Sequence, residues 1–480
     1  MLHLQNFING QLVPPAAGQY LPNYNPALGE VYSYLPDSDS EDVEAAVQAA
    51  QAAFPGWAAT PAEKRGHHLL HLADLIDQNF HRLAEAECTD TGKPLKLAQT
   101  MDIPRASSNL RFYGTAIQHF ASEAHPMGAT ALNYTVRHPH GVVGCISPWN
   151  LPLYLFTWKI APALAAGNCV VAKPSEITPL TAFLLGELCQ QADLPPGVLN
   201  IVQGTGPKVG AALTAHPKVP VISFTGGTQT GRTIACTAAP MFKKLSLELG
   251  GKNPNLIFAD CDFEKALETS LLSSFSNQCQ ICLCGSRILL ERPLYAKFRD
   301  AFVQRVKDLP VGDPLEEHTK LGAVVSEQHL QMILSYLNLA KQEGGTLLTG
   351  GAQVQVEGRC RKGWFVAPTV IEGLPSTCRT NTEEIFGPVV TLTPFDTEEE
   401  AINYANGTDY GLSATLWTQN LSRAHRVAQQ IQAGIVWVNC WLLRDLRTPF
   451  GGMKSSGVGR EGGFEALRFF TEAQNVCVKL

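Results

Sequence analysis

Cys282 and Glu248 are the two side chains in this sequence best suited to covalent chemistry. Cys282 lies in Asn277-Gln278-Cys279-Gln280-Ile281-Cys282-Leu283-Cys284-Gly285-Ser286-Arg287, and Glu248 lies 34 residues earlier in Leu247-Glu248-Leu249-Gly250-Gly251-Lys252. A thiolate attacks a carbonyl carbon, and a carboxylate can activate the water that later releases the acyl group. Both residues fall in glycine-containing turns after strand-like segments, where enzymes display reacting groups. Each also has a plainer reading: the cysteine as a small buried apolar residue, the glutamate of Leu-Glu-Leu as a solvent-facing side chain.

The segments around them decide between these readings. From residue 141, short Val/Ile/Leu-rich runs alternate with helical stretches. Gly141 to Ile146, Cys169 to Lys173, Val198 to Val202, Val219 to Phe224 and Lys244 to Leu249 read as strands. Pro152 to Ala166, Pro179 to Ala192, Pro207 to Ala215 and Thr228 to Ala238 read as helices. Near-continuous apolar strands alternating with helices predict a buried parallel sheet covered on both faces, with nucleotides bound at the carboxyl ends of its strands. A second alternating region, from about 252 to 450, predicts a separate α/β domain containing Cys282.

Several turns in the first region suit a dinucleotide. Gly204-Thr205-Gly206-Pro207-Lys208-Val209-Gly210 is one residue away from the dinucleotide fingerprint. In Phe224-Thr225-Gly226-Gly227-Thr228 a strand ends, two glycines bare the backbone and a helix begins, an arrangement that attracts pyrophosphate. Lys173-Pro174-Ser175-Glu176 offers an amine and a carboxylate to ribose hydroxyls, and Glu176 would repel a 2′-phosphate, which favours NAD over NADP. A capped turn is the structural alternative for each.

Towards the N-terminus, Asn9-Gly10 between apolar runs predicts a hairpin. Val43, Ala46, Val47, Ala50 and Phe54 predict a helix behind the acidic run Asp39 to Asp42, and Thr60-Pro61-Ala62-Glu63 reads as a capping box. His67 and His71 have the spacing of a metal pair, but no suitable third ligand follows, so they read as solvated helix residues and no metal is expected. Phe469 to Val478 predicts a terminal strand without a local partner, paired with another subunit or lying at the edge of its own domain.

Composition narrows the partners. An apolar share of 45% against 17% charged residues describes a folded globular chain, and a net charge of −6 excludes a basic nucleic-acid surface. Thirteen scattered cysteines read as reduced thiols in the cytoplasm. No secretory signal is apparent. The longest apolar stretches, such as Ile160 to Ala166, fall short of the roughly 18 residues of a membrane span.

Taken together, the sequence resembles the aldehyde dehydrogenase superfamily over nearly its whole length. Seven stretches carry the resemblance in order: Ser147-Pro148-Trp149-Asn150, Lys173-Pro174-Ser175-Glu176, Phe224-Thr225-Gly226, Leu247 to Lys252, Gln280-Ile281-Cys282, Glu383-Glu384-Ile385-Phe386-Gly387-Pro388 and Pro449-Phe450-Gly451-Gly452. The resemblance implies an α/β protein. Its Rossmann-like NAD-binding domain would be built from 1–119 and 140–250, its second α/β catalytic domain from 251–451, and a small β oligomerisation arm from 120–139 and 466–480. It also implies a homodimer or homotetramer.

By the same resemblance Cys282 is the nucleophile, Glu248 the base, and Asn150 the amide that stabilises the oxyanion with the Cys282 backbone N–H. Lys159 and Glu461 resemble a proton-relay pair, with a buried structural ion pair as the alternative. NAD is expected against Ile146, Ser147, Trp149, Lys173, Ser175, Glu176, Gly206, Phe224, Thr225, Gly226, Gly227 and Leu249, with Glu384 and Phe386 holding the nicotinamide ribose and ring.

Two departures stand out. Cys279 occupies a position where most relatives carry glycine, and the Cys279-x-x-Cys282 spacing permits a reversible disulfide. Arg105 and Arg444 fall where many relatives line the substrate tunnel with apolar side chains. A guanidinium suits a carboxylate, and Asn439 to Gly452 resembles the 2-aminomuconic and 2-hydroxymuconic semialdehyde branch. The alternatives are surface ion pairs at both arginines and a neutral-aldehyde substrate such as betaine aldehyde, retinal or an aliphatic aldehyde. A CoA-acylating enzyme is disfavoured by Glu248, and a non-catalytic protein of the same fold by the intact cysteine, base and amide.

Overall fold

The computed structural model describes residues 1–480. Strands that are apolar on both faces must be covered on both faces, and all residues of Val142–Ile146 and Cys169–Lys173 are buried. These two run parallel with Leu199–Ile201, Val221–Thr225 and Lys244–Glu248. Across the eight-stranded sheet the order is Gly457–Val458, Lys244–Glu248, Val221–Thr225, Val142–Ile146, Cys169–Lys173, Leu199–Ile201, then the hairpin Asn6–Ile8 and Gln11–Val13. The chain therefore winds outward from Val142–Ile146, returns beside it, and winds outward the other way. That reversal opens a crevice at the carboxyl ends of Val142–Ile146 and Val221–Thr225.

Lys244–Glu248 leads through Gly250 and Gly251 directly into Pro254–Ile257 of a second sheet. Its seven strands follow the order Thr346–Thr349, Thr369–Glu372, Val389–Phe395, Arg287–Glu291, Pro254–Ile257, Ser413–Trp417 and Ile435–Val438. Glu248 thus stands where the two sheets join. The loops before Arg287–Glu291 and Val389–Phe395 bring Cys282 and Glu384 to the same junction.

The small third sheet settles the terminal strand. Thr471–Lys479 pairs antiparallel with Ala131–Pro139 of its own chain, from Thr471 opposite Pro139 to Lys479 opposite Ala131, and Ala124–Met127 completes the sheet. The partner lies more than three hundred residues upstream, within the 120–139 region that the resemblance grouped with the C-terminus. A further N-terminal sheet of Leu2–His3, Glu30–Pro36 and Tyr20–Asn25 was not anticipated.

The Asn9-Gly10 turn forms as predicted, with both residues at positive φ (51° and 76°). The capping box moves. Thr60 Oγ1 donates to the Gly56 carbonyl of the preceding helix, so helix Ala62–Gln78 begins without a side-chain cap. The reciprocal cap is instead made by Asp39 and Asp42 at the start of Ser40–Ala59.

Candidate active site

Cys282 is presented by a strained loop. Asn277, Gln278 and Cys279 all adopt left-handed φ, at 52°, 56° and 56°, which costs a side-chain-bearing residue roughly 1–2 kcal/mol each. Hydrogen bonds to a neighbouring segment hold the loop in place. Gln278 Nε2 donates to the Ala323 carbonyl at 2.9 Å, and Val325 N–H donates to Gln280 Oε1 at 3.0 Å. Asn253 Nδ2 donates to the carbonyls of Cys282 at 2.7 Å and Cys284 at 2.9 Å.

Asn150 meets this loop from the first sheet. Its Nδ2 donates one hydrogen to the Gln280 carbonyl at 2.9 Å, leaving the second free. Its own carbonyl accepts from Asn277 Nδ2 at 3.1 Å and from Lys93 Nζ at 3.0 Å. Lys93 is wholly buried beside Asp102 and Glu87, and burial raises the Glu87 carboxyl to about 8.

Cys282 and Glu248 line one cavity of about 180 Å³, with Tyr154, Trp158, Thr225 and Glu461 among its walls. Neither oxygen of Glu248 has a hydrogen-bond partner. Burial, reinforced by the Glu461 carboxylate, raises its pKa well above the usual carboxylate range, against the pull of Lys159, Arg460 and Arg444. Burial also pushes the Cys282 thiol up to about 12, with Glu384 and Glu248 adding to the shift and Arg444 opposing it. A side chain at Gly451 would come within 2.9 Å of Glu248 Oε1, so glycine leaves that carboxyl its room.

Behind Glu248, Glu461 Oε1 takes Lys159 Nζ at 2.9 Å and Ser223 Oγ at 3.1 Å, while Oε2 takes Trp158 Nε1 at 2.6 Å. Lys159 and Glu461 are thus paired and buried next to Glu248.

Arg105 and Arg444 both line the cavity and also a wider outer cleft of about 890 Å³. Arg444 lies 4.1 Å from the ring centre of Phe450 and 5.1 Å from that of Trp158. Its Nη1 donates to the Tyr154 hydroxyl at 2.8 Å. No carboxylate pairs with Arg105 or Arg444, in contrast to Arg447, which is forked onto Asp445.

The strand ends meet the needs of a dinucleotide. Lys173 Nζ binds Glu176 Oε2 at 2.8 Å, and Gly206 N–H donates to Glu176 Oε1 at 3.1 Å. Burial opposes ionisation of Glu176, but Lys173 and these amide contacts outweigh it, leaving a carboxylate able to accept ribose hydroxyls. Helix Thr228–Ala238 starts at Gly227 without a side-chain cap, and nothing lies within 4 Å of where a Gly227 side chain would be. Bare amides facing open space suit a pyrophosphate. Ser147 N–H is spent on the Lys173 carbonyl, and Ser175 Oγ on the Ile177 N–H. Ile146, Phe224 and Leu249 are buried beside this crevice, Thr225 Oγ1 is buried without a partner, and packing of the Phe224 ring requires glycine at 226.

On the far side, Glu384 Oε1 accepts from Gly251 N–H at 2.9 Å, and burial lifts its pKa to about 7. Phe386, itself at φ 57°, has its ring edge-on to Trp149 at 5.2 Å, and its carbonyl contacts His329 Nε2 at 2.8 Å.

Cys279, Cys282 and Cys284 are all free thiols; burial, with Cys279 nearby, raises the Cys284 pKa well above normal. His67 and His71 are exposed on helix Ala62–Gln78. Sequence reasoning missed Lys93, Asn277, His329 and Tyr154. Tyr154 and Trp158 do stand one helical turn apart, a spacing that marks a shared face.

The aldehyde dehydrogenase family profile matches residues 13–476. The chain is 50% identical to a 2-aminomuconic semialdehyde dehydrogenase of Bos taurus, over 100% of this chain and 99% of the relative. It is 49% identical to a 2-hydroxymuconic semialdehyde dehydrogenase of Pseudomonas sp. (strain CF600), over 100% of both. An NAD+ complex of an aldehyde dehydrogenase from Bacillus cereus superposes with a TM-score of 0.97 at 40% identity, covering 100% of this chain and 97% of that one.

Proposed function

The chain belongs to the aldehyde dehydrogenase family and is an NAD-dependent oxidoreductase, and we propose that its substrate is a semialdehyde bearing a remote carboxylate. The observation that carries this reading is the pair of guanidiniums, Arg105 and Arg444, lining the Cys282 cavity with no carboxylate of their own. Both guanidiniums are half-buried, and a substrate carboxylate would give them the ion pair that the protein does not. The names of the relatives agree: 2-aminomuconic and 2-hydroxymuconic semialdehydes carry an aldehyde at one end and a carboxylate at the other.

In this reading Glu248 takes the Cys282 thiol proton and passes it to the Lys159–Glu461 pair. Sγ bonds to the aldehyde carbon, and the oxygen takes up negative charge between the free Asn150 N–H and the Cys282 backbone N–H. NAD, when bound, accepts the hydride that leaves this carbon. Glu248, with both oxygens unpartnered, takes a proton from water attacking the thioester, and the C–S bond breaks to release the acid and the thiol. The Lys159–Glu461 pair stands ready to pass that proton on. Lys173, Ser175 and Glu176 hold the adenosine side of the cofactor, with Gly206, Gly226 and Gly227 at the phosphates. Trp149, Glu384 and Phe386 hold its nicotinamide side, and Ile146, Ser147, Phe224, Thr225 and Leu249 form the floor.

No helix is long and apolar enough to cross a membrane. A cytoplasmic homodimer or homotetramer, joined through the arm containing Thr471–Lys479, completes the proposal.

The test compares a carboxylated semialdehyde with its neutral analogue in the wild type and in Arg105→Leu and Arg444→Leu. Hydrogen bonds to a charged group contribute about 1.5–3 kcal/mol, so KM for the acidic substrate rises on the order of 10–100-fold. Equal effects on both aldehydes would refute the reading.

A further inference from the structure

We propose that Tyr154 is a specificity-determining residue that donates its phenolic proton to the acidic end of the substrate, an inference that rests on the carboxylate reading above. Tyr154 belongs to helix Pro152–Ala165, which is buried along its whole length, and its side chain lines the cavity that holds Cys282. It touches both arginines. The Arg105 guanidinium lies 5.8 Å from the centre of its ring, and Arg444 Nη1 donates to its oxygen at 2.8 Å.

A phenol has one proton to give and an oxygen that accepts. The oxygen is engaged by Arg444, yet no group in the protein takes the proton. Glu248 and Glu461 share the cavity, but Glu461 is already bound by Trp158, Lys159, Ser223 and Ser246, and Glu248 makes no hydrogen bond at all. Tyr154 is only 6% exposed, and the space beside it is the substrate cavity. A buried donor without an acceptor is unfavourable, and accepting from a cation makes the O–H a stronger donor. An anionic oxygen placed between the remaining N–H groups of Arg444 and the Tyr154 O–H satisfies both. The site then reads a carboxylate through two chemically different donors, and a neutral chain end leaves both unmatched.

Tyr154→Phe removes a single oxygen and tests this directly. Steady-state kinetics are measured on a carboxylated semialdehyde and on a neutral aldehyde of equal chain length, for the wild type, Tyr154→Phe, Arg444→Leu and the double variant. Expected for Tyr154→Phe is a rise of about tenfold in KM for the acidic substrate, with kcat and the neutral-aldehyde KM within twofold of wild type. Tyr154→Phe also raises the acidic KM severalfold further in the Arg444→Leu background. An unchanged acidic KM overturns the proposal, as does an equal rise for both aldehydes. No further rise in the double variant also overturns it, because the tyrosine would then act only by holding the arginine. If Arg444→Leu itself leaves the preference for acids intact, the carboxylate reading falls. If Arg444→Leu abolishes that preference and Tyr154→Phe does not alter it, only the role of the tyrosine falls.

Discussion

Lys93 Nζ stands 3.0 Å from the Asn150 carbonyl oxygen, and the same ammonium lies 2.9 Å from Asp102 Oδ2, with neither charged side chain exposed. A buried ion pair gains little over apolar packing, so its value here is geometric: it fixes the backbone from which the Asn150 amide reaches toward Cys282. Lys93→Met leaves a buried charge uncompensated and lowers stability by about 3–5 kcal/mol in urea unfolding. Pairing it with Asp102→Leu restores most of that loss, whereas equal instability in the single and double variants would contradict the pairing.

Asn150→Ala tests the oxyanion role. Loss of one preorganised donor lowers kcat about 10²–10³-fold with little change in KM. A kcat within threefold of wild type would assign the charge to other groups.

Glu248 links stability to function. Its folded pKa lies above the unfolded value, so the folded chain retains a proton that the unfolded chain releases once pH passes about 4.3. Stability therefore falls as pH rises through that value and continues to fall until the folded group ionises. Glu248→Gln removes the penalty, and the unfolding midpoint at pH 8 rises by on the order of 2 °C while that at pH 4 is unchanged. The same substitution lowers hydrolytic turnover about 100-fold or more. A midpoint that rises equally at both pH values would sink the argument.

The Cys282 thiol, pushed up to about 12, is mostly protonated in the cofactor-free protein at neutral pH. Only the thiolate is alkylated, so iodoacetamide labelling of Cys282, followed by peptide mass spectrometry, accelerates about tenfold per pH unit from 7 to 10. A plateau below pH 9 would show an activated thiol and overturn the assignment. The exposed Cys236 and Cys477 serve as internal references.

Much of this architecture could be read from the residues because Val142–Ile146, Cys169–Lys173 and Val221–Thr225 are short, largely apolar and bounded by glycine or proline. The same pattern placed Glu176, Gly226 and Glu248 at strand ends, where the crevice opens. What escaped were relationships set by tertiary contact. Thr60 had the right neighbours for a cap, but the preceding helix offered its hydroxyl a nearer carbonyl. The resemblance grouped 120–139 with 466–480, but the register between Thr471–Lys479 and Ala131–Pro139 leaves no local mark. The left-handed backbone at Asn277, Gln278 and Cys279 has no counterpart in residue type, since none of the three is glycine. Lys93 carries no periodic signal, because its role depends on meeting a carbonyl 57 residues further along.

Gly457–Val458 pairs with Leu247–Glu248, and Glu461 follows three residues later. The strand bearing Glu248 therefore has no outer neighbour until residues 457 and 458, some two hundred positions later, have been translated. A product terminated by a premature stop codon before Gly457 would retain Cys282, Glu248 and the crevice at the strand ends. It would lack the edge that braces Glu248 and the carboxylate that pairs with Lys159, so late nonsense mutations in this gene should be as damaging as early ones.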